Sequence, residues 1–495
     1  RRTTLFPYTT LFRSPSPKQH ALEMVTIEEL VPADHLLRKI ARHIDFEFIR
    51  PATQHLYCAD NGRPAVDPVT LFKILFIGYL FGVRSERQLM REIQVNVAYR
   101  WFLDFSLTDK VPDASTLSQN RRRRFADSDI EQVIFDGIVE QAMKSGLIGG
   151  EVLHTDSTHL KASANKKRFE IHQVEQRPSD YLAQLNRAIA QDREAHGKRP
   201  LSDKPTAQET IETKVSTTDP DSGFMTRDNK PQGFFYLDHR TVDGKHAIIT
   251  DTFVTPGNVH DSRPYLARLD RQCTRFNLTP LAVALDAGYF TAAICKGLQE
   301  RDLYGVIGYR RPNHKPGYFY KREFIYDAER DGYTCPNGQF LTYRTTNRVG
   351  YREYTSDARQ CRECPLREQC TKSRTHTKVV VRHVWEEFKE RINQNRLTPE
   401  GKKIYARRKE TVERSFADAK ELHGHRYARF RGISKVTKQC LLAAACQNMK
   451  KIARLLAAFF RLYGLPKSIW KTFSAYFQGF VAVRLILQHS NRQMA

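Results

Sequence analysis

A short, wholly apolar run in the second half of the chain places the strongest constraint on its fold. Residues 281–285 read Leu-Ala-Val-Ala-Leu, and the run stops at Asp286, which Ala287 and Gly288 follow. A strand that is covered on both faces reads as a continuous apolar run, whereas a strand with one solvated face alternates. The run therefore predicts a buried strand that ends at an acid.

A second strand pattern lies earlier in the chain. Residues 152–155 read Val-Leu-His-Thr, and they lead to Asp156, which hydroxyl residues flank on both sides. Alternation of this kind indicates a short strand. We therefore expect Asp156 at the exit of a strand, in the same position as Asp286.

The elements around these two strands predict a mixed α/β core. Asp243-Gly244 stands between two strand-like runs, which is a hairpin signal. Asp261-Ser262 and Thr291 are suited to cap two helices, the first reaching about Phe276, and residues 304–309 form a further strand pattern. The order is hairpin, helix, strand, helix, strand.

A third acid lies in a helical pattern. Val412 and Phe416 flank Glu413 at helical spacing, and no breaker interrupts the segment. Lys420 follows Glu413 by seven residues, so a regular helix projects both from one face. Glu410 is the alternative third acid.

The three acids are candidates for one metal site. Carboxylate oxygens are the hard ligands that Mg²⁺ or Mn²⁺ prefers. Two such ions can activate the attacking oxygen and stabilise the leaving oxygen at phosphorus. A single acid at a strand end is more often a turn or capping residue, but the triplet Asp156, Asp286 and Glu413 indicates phosphodiester chemistry on DNA.

Six phrases follow one another as in the DDE transposases of bacterial insertion sequences. The chain resembles this family from about Leu22 to about Ile452, and most of all the insertion sequence 1182 group. The resemblance implies an RNase H-like core and cut-and-paste transposition. The phrases are Gly62-Arg63-Pro64-Ala65-Val66-Asp67-Pro68, Val111-Pro112-Asp113-Ala114-Ser115-Thr116, His154-Thr155-Asp156-Ser157-Thr158, Thr255-Pro256-Gly257-Asn258-Val259-His260-Asp261-Ser262, Asp286-Ala287-Gly288-Tyr289 and Glu413-Arg414-Ser415-Phe416.

By this resemblance the two aspartates and Glu413 match the family's metal ligands, and Lys420 matches the basic residue that follows on the same helix. Tyr405 and Arg408 are candidates for the tyrosine and arginine that related transposases carry ahead of the glutamate. Their spacing to Glu413 is one residue longer than the family pattern.

The charge of the chain favours a polyanionic partner. Its 495 residues carry 80 Lys and Arg against 55 Asp and Glu, a formal charge of +25, which indicates DNA rather than an acidic metabolite. The third-acid region, residues 401–435, is itself basic, and Arg408, Arg414 and Arg429 are candidate phosphate contacts there. A solvated helix face is the alternative for any one of them.

The region from residue 15 to 125 has a helical pattern. Asp67-Pro68 and Ser85 are helix starts, and short helices joined by tight turns predict a helix-turn-helix-like DNA-binding region. A helical cap or a dimer surface is the alternative. The candidate DNA contacts are Arg84, Arg87, Arg121 and Arg122.

Four of the nine cysteines fall within one segment. Cys361 and Cys364 form a C-x₂-C pair, and the others are Cys335 and Cys370. The spacing suits a structural Zn²⁺ held by four thiolates. Reduced thiols in a loop-rich insertion are the alternative, and a disulfide framework is the weaker one.

These signals divide the chain. Residues 1–14 resemble translated adapter sequence and are left out of the fold. Residues 126–311 form the first part of the core, with a polar insert of a helix and flexible arm rather than sheet at about 166–230. A Cys-rich insertion spans 312–382, the catalytic helix region 383–450, and an amphipathic tail 451–495 that packs on the core or on a second subunit.

The predicted protein is a transposase that acts on terminal inverted repeats and target DNA as a homodimer or larger synaptic complex. No apolar run is long enough for a membrane span, and the expected location is the bacterial cytoplasm, at the nucleoid. The alternatives are an RNase H-like endonuclease without strand transfer and a catalytically inactive DNA-binding remnant.

Overall fold

The computed structural model describes residues 24–58, 65–175, 180–202, 210–226, 232–310 and 316–463. Three predictions lie wholly or partly outside these residues: the excluded segment 1–14, the first three residues of the phrase that begins at Gly62, and the tail beyond Tyr463. Within the described ranges no helix is long and apolar enough to cross a membrane.

The N-terminal part is helical, as predicted. Asp67 accepts a hydrogen bond from the backbone N–H of Thr70 at the start of α4, and Ser85 caps α5 through Gln88. Nine of the thirteen residues of α4 are buried, so this helix forms the centre of the region. The helices are α1 (Ile27–Leu30), α2 (Leu36–His43), α3 (Ile49–Gln54), α4 (Pro68–Leu80), α5 (Glu86–Val95), α6 (Val97–Phe102), α7 (Ala114–Gln119) and α8 (Ile130–Lys144).

The central sheet is mixed, as the sequence predicts. Its path runs β6-β5-β1-β7-β8. β5 is antiparallel to β1, and β6 is antiparallel to β5, whereas β7 and β8 run parallel to β1. The short β4 also pairs with β5. The elements are β1 (Val152–Lys161), β2 (Phe169–Glu175), α9 (Asp180–Ala195), β3 (Thr210–Ser216), β4 (Gly223–Met225), β5 (Gly233–Asp243), β6 (Ile249–Pro256), α10 (Tyr265–Phe276), β7 (Ala282–Leu285), α11 (Ala292–Gln299) and β8 (Tyr304–Ile307).

The polar insert at 166–230 is only partly as predicted. Its helix is present as α9, but β2 and β3 pair in an antiparallel two-stranded sheet along seven residues each. The expectation of an arm without sheet was therefore wrong. The paired strands include Ile171 and Val215 among charged residues, so their polar composition concealed the strand pattern.

The cysteine segment folds as a five-stranded antiparallel sheet in the order β13-β12-β11-β10-β9. The elements are β9 (Ile325–Asp327), β10 (Gly332–Thr334), β11 (Phe340–Thr346), β12 (Tyr351–Thr355), α12 (Ala358–Arg362), α13 (Arg367–Cys370) and β13 (Val379–His383). Ion pairs join this sheet to its neighbours, including Arg352 with Asp192 on α9.

The last helices complete the core. They are α14 (Glu386–Leu397), α15 (Pro399–Ala406), a π-helical turn over Lys409–Glu413, α16 (Arg414–Leu422) and α17 (Ile433–Tyr463). One hydrophobic cluster joins side chains of α2 to α8 with Val412, Phe416 and the buried face of α17. Leu456 of α17 is buried in this cluster, so the described beginning of the predicted tail packs on the core.

Candidate active site

The two predicted aspartates lie side by side on neighbouring parallel strands. The last residues paired between β1 and β7 are Thr155 and Leu285, and Asp156 and Asp286 come directly after them. Asp286 lies directly after the end of β7, as predicted, and it is exposed. The pairing of β1 with β7 thereby brings two acids that are distant in sequence to the C-terminal end of β7.

Asp156 does not stand at a strand exit, so that prediction was wrong. β1 continues to Lys161, because β5 stays paired with it after β7 has ended, from Asp156 opposite Arg240 to Lys161 opposite Phe235. The side chain of Asp156 is 21% exposed, and its Oδ1 accepts the backbone N–H of Ser157 at 2.8 Å. Asp156 is thus held more rigidly than an acid in a turn.

Arg408 is buried directly beneath this edge. Its Nη1 donates to the backbone oxygens of Thr155 at 2.8 Å and Ala284 at 3.1 Å, and its Nη2 donates to Oδ2 of Asp156 at 2.6 Å. Its side chain is only 2% exposed. The prediction that Arg408 contacts DNA was wrong, because its guanidinium binds the backbone oxygens of Thr155 in β1 and Ala284 in β7 and the carboxylate of Asp156.

Glu413 reaches the same place through an irregular turn. Its side chain is 51% exposed, and Oε1 lies 3.9 Å from Nε of Arg408, an atom that is buried without a hydrogen-bond partner. The backbone N–H of Glu413 donates to the oxygen of Arg408 at 3.1 Å, five residues back. This π-helical turn accommodates the one additional residue between Arg408 and Glu413.

The charges at the site act on one another. Burial raises the pKa of Asp156 to about 6, and Asp286 and Asp261 add to the rise while Arg408 opposes it. Burial also raises the pKa of Tyr405, as do the charges of Asp286, Glu413 and Asp156. The charges of all three acids therefore act on Tyr405.

Asp261 is a fourth acid at this site, and sequence analysis assigned it a different role. We expected Asp261-Ser262 to cap a helix, but α10 begins at Tyr265, after Pro264. Oδ1 of Asp261 instead accepts the hydroxyl of Ser157 at 2.8 Å. Its place in the quoted family phrase was the signal that could have identified it.

The other predicted residues of the catalytic helix lie on α16. Arg414 is 67% exposed in its side chain, and its Nε pairs with Asp418 at 3.0 Å. Lys420 is half-buried. Glu410, the alternative third acid, is exposed on the π-helical turn.

The arginines of the N-terminal helices divide into two groups. Arg87 and Arg122 are exposed. Arg121 pairs with Glu86 and stacks on Phe430 with its guanidinium carbon 4.2 Å from the ring centre.

Two more of the predicted arginines take part in the contact between the helical region and the segment after α16. The guanidinium of Arg84 lies 5.4 Å from the ring centre of Tyr427. Arg429 stacks on Tyr79 at 4.2 Å, and its Nη1 donates to the oxygen of Val83 at 3.5 Å. Arg429 therefore has a structural role in this contact.

A network of buried polar side chains lies against α16. Asp238, His425 and Cys440 are the one group within the described residues that brings three potential metal-ligand atoms within 4.8 Å of one another. However, Asp238 already accepts hydrogen bonds from Arg240 and Thr252 as well as His425. A guanidinium cation bound to the carboxylate opposes a metal ion there.

The four cysteines of the insertion line one small cavity. Burial raises the pKa of Cys370, which the charges of Cys361, Cys335 and Cys364 raise further and Lys378 lowers. The structure thus brings all four predicted sulfur ligands together.

Comparison with known families matches two parts of the chain. Residues 25–123 match a family model described as a transposase domain (DUF772), and residues 334–453 match a transposase DDE domain. These matches support a DDE transposase. The second match includes Glu413 and the four cysteines, whereas Asp156 and Asp286 lie outside both. A DDE transposase implies dependence on a divalent metal and binding to DNA.

Comparison with whole proteins adds little. One solved structure, a piggyBac transposase synaptic complex with hairpin DNA, is similar over 89% of this chain and 78% of that chain, at 10% identity and a TM-score of 0.36. No curated protein matches the chain.

Proposed function

We propose that this transposase cleaves DNA at transposon ends and joins the freed 3′-hydroxyl to target DNA. The observation that carries the proposal is that Asp156 and Glu413 both lie within 4 Å of Arg408, while Asp286 directly follows the strand that pairs with β1 beside Asp156. The three acids come from β1, from the residue after β7 and from the π-helical turn before α16, and their ligand atoms do not all lie within 4.8 Å of one another, so metal binding would draw them closer.

We also propose that the core is RNase H-like. The supporting observation is the sheet path β6-β5-β1-β7-β8, in which an antiparallel hairpin precedes two strands parallel to β1. In this core the acids of β1 and β7 lie at one edge, and the π-helical turn delivers the third.

The donor set fits Mg²⁺ or Mn²⁺. Three carboxylates offer hard oxygen ligands, while one buried cation, Arg408, offsets only part of their negative charge. Asp156, Asp286 and Glu413 would hold the metal. When bound, divalent ions activate the attacking oxygen and stabilise the leaving oxygen at phosphorus.

The chain's own residues hold this site in place. Arg408 donates to Asp156 and joins the turn before Glu413 to the backbone of β1 and β7. Ser157 links Asp156 to Asp261. Pre-organised ligands reduce the movement that metal binding requires.

We assign four cations to double-stranded DNA. The half-buried Lys420 would contact the phosphate near the scissile bond, with the exposed Arg414 on the same helix. Arg87 and Arg122 would contact phosphates of the terminal inverted repeats from the helical region 15–125. Phosphate contacts of both groups would supply affinity for DNA without recognising its base sequence.

Transposition joins two ends, so we propose a homodimer or larger synaptic complex that works in the bacterial cytoplasm, at the nucleoid. The contact of Arg84 and Arg121 with the segment after α16 supports coupling between end binding and the acidic site.

The test uses a labelled transposon end, taken from the DNA that flanks the gene, with a circular target and Mg²⁺. We expect cleavage and joined product, neither of which forms without a divalent ion. Cleavage without joining would support the endonuclease instead, and retention of DNA without cleavage would support the inactive remnant. The same protein carrying Asp286→Asn controls for contaminating nucleases.

A further inference from the structure

The cysteine cavity of the insertion has the ligands of a second metal site, well separated in sequence from the acids. Cys335 lies in the turn between β10 and β11, Cys361 in α12, Cys364 just after it, and Cys370 at the end of α13. All four are free thiols that line the same cavity. We propose that they bind one structural Zn²⁺ as thiolates.

The backbone around Cys335 is shaped for a sulfur ligand. The N–H of Gln339 donates to Sγ of Cys335 at 3.3 Å, and the N–H of Gly338 donates to the oxygen of Cys335 at 2.8 Å. Gly338 has a φ of +74°, a left-handed conformation that suits glycine. The turn therefore presents the sulfur and stabilises its charge.

A second donor serves the C-x₂-C pair. Nδ2 of Asn337, in the same turn, donates to Sγ of Cys364 at 3.5 Å. Sγ of Cys361 lies 3.1 Å from the hydroxyl of Ser356, which can donate to the sulfur once that thiol loses its proton. Such outer contacts orient metal ligands.

The surrounding charge favours the metal-bound form. Four thiolates around Zn²⁺ carry a net negative charge, and the cations Arg367 and Lys378 line the cavity. Nζ of Lys378 donates to the backbone oxygen of Cys370 at 2.9 Å. Zn²⁺ binds cysteines as thiolates, so its binding releases the protons of the four thiols.

The insertion has a small hydrophobic core, which gives the metal a structural purpose. Its buried cluster consists of Phe324, Tyr333, Leu341, Tyr354 and Val380. A unit with so few buried side chains gains little stability from apolar burial and is commonly held together by a metal or disulfides.

Zinc binding should tighten this region. In the described residues no three of the four sulfurs lie within 4.8 Å of one another, whereas sulfurs 2.3 Å from a tetrahedral Zn²⁺ are roughly 3.8 Å apart. The ion would therefore draw α12, α13 and the Cys335 turn together.

The experiment measures zinc in the full-length protein, purified in reducing buffer without chelator. We expect about one Zn²⁺ per chain by elemental analysis. Cys361→Ser and Cys364→Ser should each lose most of it, while Cys58→Ser and Cys273→Ser, outside the cavity, should retain it. Cobalt in place of zinc should give thiolate-to-metal charge-transfer bands in wild type.

A conservative variant keeps the test decisive if the serine variants fail to fold. Cys370→His preserves a zinc ligand and should retain the metal. The proposal fails if wild type carries no metal and takes up no cobalt, if the serine variants retain zinc, or if the cysteines are paired as disulfides. None of these measurements involves DNA, so the zinc site can fail while the transposase function stands, and the reverse.

Discussion

The acidic site and the cysteine cavity are two candidate metal centres that are assembled in opposite ways. The acids come from β1, β7 and the turn before α16, so they meet only when the whole sheet has formed. The cysteines all fall between residues 335 and 370, in one sheet turn and two short helices. The first depends on long-range pairing and a buried arginine, whereas the second depends on local turns. Substitutions in the core should therefore impair the acidic site and leave the cysteine cavity intact.

The largest expected effect is that of Asp286→Asn. Loss of a ligand oxygen should reduce cleavage of a labelled end to background, because metal binding requires the ionised carboxylate. DNA retention in a gel-shift assay and zinc content should stay near wild type. Glu410→Gln, at an exposed acid on the neighbouring turn, is the matched control and should cleave normally. Normal cleavage by Asp286→Asn would exclude the acidic site from catalysis.

Arg408→Gln should reveal how the acidic site depends on the core. It leaves Asp156 and two backbone oxygens without their partner, and removal of one member of a buried charge pair costs about 3–5 kcal/mol. Denaturant unfolding should show the loss, while Arg407→Gln, at an exposed neighbour, should show little. Equal stability of Arg408→Gln and wild type would contradict the bracing role.

The pH dependence of Mg²⁺ binding should distinguish the two centres further. Because the folded pKa of Asp156 is raised to about 6 from 3.8, the folded state binds more protons than the unfolded state between these values. Without metal, this group therefore makes the protein less stable as the pH rises towards 6, by up to about 2–3 kcal/mol, and no further above it. The increase in Tm on adding Mg²⁺ should be large above pH 6 and small at pH 5. An equal increase in Tm at both pH values would contradict a role for Asp156 in binding Mg²⁺.

Asp261→Asn tests the acid that sequence analysis assigned to a helix cap. Its amide oxygen can still accept the hydroxyl of Ser157, so the fold should be kept. Loss of the negative charge beside Asp156 should slow cleavage by about 10- to 100-fold, as for other residues that support metal ligands. Ser262→Ala is the control. A wild-type cleavage rate for Asp261→Asn would limit Asp261 to a structural role.

The smallest effect is expected for Arg122→Ala. Loss of one exposed phosphate contact should weaken DNA binding and lower the salt dependence of log K by about one. Arg121→Ala should instead lower stability, because Arg121 pairs with Glu86 and stacks on Phe430. An unchanged salt dependence for Arg122→Ala would argue that this part of the helical region does not contact DNA.

Local signals predicted the parts of the fold that depend on local chemistry. The helix starts at Asp67, Ser85 and Thr291 follow from side chains that accept backbone N–H groups. The strand before Asp286 follows from its apolar run. The order hairpin, helix, strand, helix, strand along the chain could be predicted because each of these elements carries its own local pattern.

Features that depend on distant partners could not be predicted in this way. Asp156 lies within β1 because β5, far along the chain, continues to pair with it. Apart from the resemblance, Arg408 reads as one more cation in a basic segment, and only the folded sheet shows the backbone oxygens of β1 and β7 that it binds. Asp261 resembled a helix cap because the hydroxyl that it binds belongs to Ser157, on another element.

The wide turn before α16 affects how relatives of this chain can be found in genomes. By the resemblance described above, a pattern that fixes the family's shorter interval between the arginine and the glutamate would pass over this sequence, although Nε of Arg408 and Oε1 of Glu413 are 3.9 Å apart. One additional residue in a regular helix rotates everything upstream by about 100°, whereas here the turn absorbs it. Profiles that permit one inserted position before the glutamate should therefore recover members that rigid patterns omit.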